Sequence, residues 1–142
     1  MKIASTVFVR GLIAVTLGYS GWLNASDRMT PGQWELTTTT KGDTRVFKFC
    51  ADANTLSIAN GDARTGQDAL SRIHTKTRCK VDAFKVEGST VSYTLNCPDT
   101  TVRFTETYHG DRYEGVGVVL NAKTASEEIG STYKARRLGA CP

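Results

Sequence analysis

Methionine, histidine and proline are scarce in this chain: two, two and three residues among 142. Cysteine is absent before Cys50, which excludes a lipid-modified cysteine near the start. No C-x-x-C is present, so a thioredoxin-like redox pair is excluded. Successive cysteines lie 29, 18 and 44 residues apart, too far for the paired spacing of a structural zinc site. His74 and His109 stand alone, outside H-E-x-x-H or any other metal spacing. There is no G-x-S-x-G nucleophile elbow and no glycine-rich phosphate loop between a strand and a helix. These absences predict no enzymatic activity, no metal and no cofactor.

Long hydrophobic runs are missing too. The uncharged run Gly11–Leu23 has 13 residues, short of the 18 or more of a spanning helix. It follows Lys2 and Arg10 and ends near Leu23-Asn24-Ala25. That is the layout of an export signal, with cleavage expected after Ala25. Residues 26–142 then form one domain, periplasmic or secreted, with no transmembrane segment after cleavage. Excess charge of one sign is small. Lysine plus arginine number 18 against 14 acidic residues, and losing Lys2 and Arg10 leaves a mature net charge of +2. That is too mild for a nucleic-acid partner. It also argues against an inhibitor of a basic lysozyme, which should be acidic.

Turning to what is there, Cys50, Cys79, Cys97 and Cys141 all follow the export signal. An even count in an exported domain reads as two disulfides. Spacing leaves three connectivities open. The preferred pairing is Cys50–Cys79, stapling an insertion, with Cys97–Cys141, pinning the last strand.

Alternating and β-branched segments are frequent. Trp34–Thr40 and Thr44–Cys50 read as a hairpin across Lys41-Gly42-Asp43. Residues 51–78 break that rhythm. Asp52 or Asn54 can cap a short helix ended by Gly61, residues 61–68 read as a surface loop, and Ala69–Ile73 adds a turn or helix. Strands resume at Lys80–Val86, Thr90–Cys97, Thr101–Tyr108, Tyr113–Leu120 and Thr132–Leu138. In the clearest of them Val91, Tyr93, Leu95 and Cys97 share one face. Val102, Phe104 and Tyr108 share a side of the next. Gly115 and Gly117 mark a bend at a barrel corner, or a close approach. The fold class is therefore all-β: a single antiparallel meander forming a small barrel or half-barrel, with a short helical insertion.

Candidate binding residues are fewer. Arg72, Lys76, Arg78 and Lys80 crowd one span, with Lys85 beyond, and Arg136 and Arg137 could join them as a patch for an anionic ligand. The commoner reading of such residues is a solvated outer face. Trp34, Phe47, Phe49, Phe84, Tyr93, Phe104 and Tyr113 lie mainly in strands, as core or as the lining of an apolar pocket. Glu127-Glu128 reads as a solvated acidic pair in a loop.

Pro31-Gly32-x-Trp34-Glu35-x-Thr37, Cys50 opening a helix, Cys79-Lys80-Val81, Gly88-x-Thr90-Val91-Ser92-Tyr93 leading to Cys97, Gly110-Asp111-x-Tyr113-x-Gly115 and Arg136-Arg137-Leu138-Gly139-x-Cys141-Pro142 occur in that order. Together they resemble the DUF3617 family of exported, functionally uncharacterised bacterial proteins. The resemblance implies a periplasmic, disulfide-containing β protein and no particular reaction. Relatives often carry a methionine-rich stretch near the late hairpins. Here Met29 is the one methionine after the signal, which argues against methionine-based metal binding. The expected role is binding of a small apolar or amphipathic envelope ligand. The alternative is a protein-interaction or inhibitor module, and a hydrolase comes third.

Overall fold

Runs of threonine and aromatic residues set the first hairpin, because such side chains fit a pleated, half-buried surface. In the computed structural model β1 (Gln33–Thr40) and β2 (Asp43–Cys50) pair antiparallel. Lys41 and Gly42, with φ of 49° and 88°, make the two-residue turn whose left-handed backbone matches strand twist. The structure describes residues 27–121, 123–124 and 126–142. The export-signal reading for residues 1–25, with its cut after Ala25, lies outside them.

Two helices follow. Asp52 caps α1 (Ala53–Asn60), its carboxylate accepting from the Thr55 N–H at 2.8 Å. Asp62 caps α2 (Ala63–Ile73) in the same way through Thr65 at 2.7 Å. The surface loop expected over 61–68 is thus mostly helix. An N-cap and the buried row Gly66, Ala69 and Leu70 outweigh the loop-like composition. A short 3₁₀ turn, His74–Lys76, leads out.

The remaining strands are β3 (Lys80–Glu87), β4 (Thr90–Asn96), β5 (Thr101–Tyr108), β6 (Arg112–Asn121) and β7 (Ser126–Gly139). The sheet order is β2-β1-β7-β6-β5-β4-β3, antiparallel throughout. The chain would be a closed meander if β2 met β3. Instead the two are free edges, and α1 and α2 occupy the connection between them. The fold is the half-barrel form of the expected meander. The last strand begins earlier than expected. Glu127 and Glu128 belong to β7, opposite Leu120 and Val119, and Glu127 accepts an ion pair from Arg103 at 2.7 Å.

One face of the sheet is buried under the helices. Trp34, Val91, Tyr93, Leu95, Tyr108 and Ala135 contribute to a single core with Ile58, Ala59, Ala69 and Leu70. A bulge in β3, where Ala83 has φ 49°, turns Phe84 into that core. Gly66 lets α2 lie against the Phe84 ring; a Cβ there would sit 2.4 Å from Cζ. The segment before β1 seals one end. Asn60 brackets the Met29 backbone with two 2.8 Å hydrogen bonds, and Arg28 donates to the carbonyls of Ala59 and Gly61 at the end of α1.

The disulfides are Cys50–Cys141 and Cys79–Cys97, which corrects the preferred pairing of Cys50 with Cys79 and Cys97 with Cys141. Strand register explains both. Gln33 on β1 faces Cys50 on one side and Gly139 on the other, so Cys141 arrives beside Cys50. Lys80 faces Asn96, so Cys79 and Cys97 bracket the same end of the β3–β4 hairpin.

Candidate functional site

The inward row of the sheet carries the candidate site. Along one rung Val91, Glu106, Gly115, Tyr133, Thr38 and Arg45 stand opposite one another across six strands. Period-2 alternation places every one of them on the concave face. A carboxylate in such a row needs room and partners. Gly115 supplies the room, since a Cβ there would meet the Thr105 carbonyl at 2.8 Å and the Glu106 Cγ at 3.0 Å. Tyr108 supplies a partner, donating its hydroxyl to Glu106 Oε2 at 2.5 Å. Tyr93 and Glu106 line one cavity.

Aromatic rings surround this group. Tyr108 and Tyr113 have centroids 5.1 Å apart, and Trp34 lies 5.8 Å from Tyr113. Phe84, Tyr93 and Phe104 form a stack at 5.8 and 5.1 Å. Burial pushes the Glu106 carboxyl above its ordinary range, against the opposing pull of the Tyr108 and Tyr93 hydroxyls. Burial and the nearby Glu106 charge push Tyr93, Tyr108 and Tyr113 up, so all three stay neutral donors. A cavity of about 140 Å³ opens beside Glu106, with Met29, Ile58 and Leu70 facing Tyr93, Tyr108 and Tyr113.

The helices leave the far side of the concave face uncovered. Phe47 on β2 follows the inward register of Leu36 yet is 51% exposed. Beside it a depression of about 400 Å³ is lined by Thr38, Thr40, Lys41, Asp43, Arg45 and Phe47. Gly117 widens the floor between: a Cβ there would crowd Ser131 Oγ at 2.8 Å and the Phe104 ring at 3.0 Å. The β6–β7 register also shifts at this glycine, so Gly117 serves both the bend and the close approach.

The basic residues are placed in two groups. Arg72, Lys76, Arg78 and Lys80 are exposed at the α2–β3 junction, where Arg72 donates to Asn54 Oδ1 at 3.3 Å. Lys85 is exposed on β3 itself. Arg136 and Arg137 lie on β7, separated from β3 in the sheet by β6, β5 and β4. Arg136 pairs with Glu35 at 2.9 Å, and Arg137 Nε donates to the Pro31 carbonyl at 2.8 Å. His109 borders a depression of about 450 Å³ on the convex face, among Glu35, Arg112, Glu114, Lys134 and Arg136. His74 sits near the Thr77 hydroxyl at 3.3 Å. Among the described residues no three His, Cys, Asp or Glu side chains cluster as a metal site.

A family model described as a protein of unknown function, DUF3617, matches residues 29–141. The chain belongs to the DUF3617 family. Neither a curated protein nor a solved structure matches it. The matched range of this DUF3617 chain contains the whole half-barrel, both disulfides and the Glu106 cavity. The chain carries two disulfides, a bond type that persists mainly in oxidising compartments. Among the described residues no helix is long and apolar enough to cross a membrane.

The sequence reading passed over Glu106, although the signal was there. Alternation puts Val102, Phe104 and Tyr108 on one side of β5, and Glu106 falls in the same row. A charged residue in an inward row is an anomaly that alternation alone exposes.

Proposed function

We propose that this DUF3617 protein is a non-enzymatic, periplasmic or secreted binding protein that holds a small amphipathic envelope ligand on its concave face. The uncovered Phe47 shelf carries this reading. Phe47 faces the side that the rest of the sheet buries, and half its surface remains open. Thr38, Thr40 and Arg45 give the shelf a polar rim, suited to a ligand with an apolar body and a polar end.

Native mass spectrometry of protein isolated from the periplasm, disulfides intact, tests the reading. An adduct above the disulfide-corrected mass is expected, and Phe47→Asp should lose it. Loss of the thermal shift given by envelope lipid extracts should accompany that. An adduct-free wild type that no lipid fraction stabilises would count against the proposal. The second reading, a protein-interaction module, is favoured by the free edge of β2, where Val46 is 57% exposed on the convex side. Capture from periplasmic extract that is lost in Val46→Asp and kept in Phe47→Asp would favour it.

A further inference from the structure

We propose that the cavity beside Glu106 binds a small methylated ammonium group. This goes beyond the shelf reading, and the two sites share no lining residue. The cavity brings together what such a cation needs. Its volume, about 140 Å³, is close to the roughly 150 Å³ that accommodates a benzene-sized group. Tyr93, Tyr108 and Tyr113 line it, and aromatic rings attract a cation through their quadrupole. Met29 and Ile58 offer apolar contact to methyl groups.

Glu106 supplies the charge. Its carboxylate accepts from Tyr108, yet among the described residues no Lys, Arg or His nitrogen lies within 4.0 Å of it. A half-buried carboxylate flanked by aromatic rings and lacking a counter-cation is costlier to ionise than one in open water. A bound cation removes that cost. An inorganic divalent ion is a poor candidate, because it needs about six oxygen ligands and one carboxylate stands here. A primary ammonium would bring three N–H donors into a cavity where the Tyr108 hydroxyl already donates to Glu106. A quaternary ammonium brings none, so it fits the charge and the apolar lining together.

Choline, its neutral isostere 3,3-dimethyl-1-butanol and ammonium chloride are the probes. They are titrated into the disulfide-intact protein at mildly alkaline pH, with calorimetry and Trp34 fluorescence as readouts. Saturable choline binding is expected, with the neutral isostere and ammonium at least about tenfold weaker, in line with a cation–π contact reinforced by a carboxylate. Glu106→Gln should weaken choline at least about tenfold while keeping cooperative unfolding. Phe47→Asp should leave choline binding unchanged, which separates this site from the shelf. Absence of saturable choline binding, or equal binding of the isostere, overturns the proposal even if Glu106→Gln fails to fold. Unchanged affinity in a folded Glu106→Gln overturns it as well. Vesicles of phosphatidylcholine and phosphatidylglycerol identify the source of the cation. Preference for phosphatidylcholine assigns a lipid headgroup, and equal binding alongside free-choline saturation assigns a soluble ammonium compound.

Discussion

At Glu106 burial and hydrogen bonding pull the carboxyl in opposite directions, and burial wins. Its folded pKa is therefore raised above the ordinary 4.5. The folded state holds the proton more tightly than the unfolded chain does. Stability from this group is fully present below the unfolded value and is lost as pH rises through the folded one. Each unit of difference is worth about 1.4 kcal/mol. Glu106→Gln cannot ionise, so at neutral pH it should be the more stable protein, and its advantage should shrink toward acid. Urea unfolding from pH 4 to 8 checks this; parallel stability curves for the two proteins would refute it. The residue was legible in outline. Alternation along β5 reaches Glu106 from Phe104, but the tyrosine cluster that makes it notable does not follow from β5 alone. Tyr93 comes from β4 and Tyr113 from β6, and only register brings them together.

Among the elements, the helices show where local signals suffice and where packing overrides them. Asp52 was one of two candidate caps, with Asn54, and it is Asp52 that caps α1. Its carboxyl is held below the ordinary range by the Thr55 N–H and hydroxyl, so the cap acts above that range and fades in acid. Asp52→Ala should cost about 1 kcal/mol at neutral pH, read from the urea midpoint, and an unchanged midpoint would contradict the capping role. The start of α2 was hidden by Gly, Asp, Arg and Thr between residues 61 and 68, a composition that suits a loop equally well. What decides is Phe84, brought across by the β3 bulge to fill the space over Gly66. Gly66→Ala weighs two effects. Helix propensity favours alanine by about 1 kcal/mol. Overpacking costs about 1–3 kcal/mol, and Phe84 is too buried to swing aside. A net loss is expected in thermal unfolding, and a gain in melting temperature would show that the α2–β3 contact yields.

For the molecule as a whole, the strands were legible and their long-range neighbours were not. Alternation and turn residues located seven strands, because both signals are local. Nothing local says that β1 pairs with β7 instead of leaving the hairpin alone, and that pairing decides three things at once. It leaves the meander open between β2 and β3, it separates Arg136 and Arg137 from the Lys80 group, and it brings Cys141 to Cys50. The disulfide preference, Cys50–Cys79 stapling the insertion and Cys97–Cys141 pinning the last strand, failed on that point. The two bonds now differ in what they constrain. Cys50–Cys141 spans 91 residues and Cys79–Cys97 spans 18. In the chain-entropy view the longer loop stabilises by about 4.6 kcal/mol and the shorter by about 3.2 kcal/mol. The longer bond also ties the segment after β7 to β2, an edge strand that among the described residues no other strand pairs with on its far side. Replacing Cys50 and Cys141 by serine should therefore lower the melting temperature more than replacing Cys79 and Cys97. The shorter bond only closes a hairpin already zipped by its own register, from Lys80 opposite Asn96 to Glu87 opposite Thr90. Calorimetry of the two double-serine proteins decides the order. If loss of the Cys79–Cys97 bond proves the costlier, the hairpin and the helices leading into it, rather than the β1–β7 closure, hold the half-barrel together.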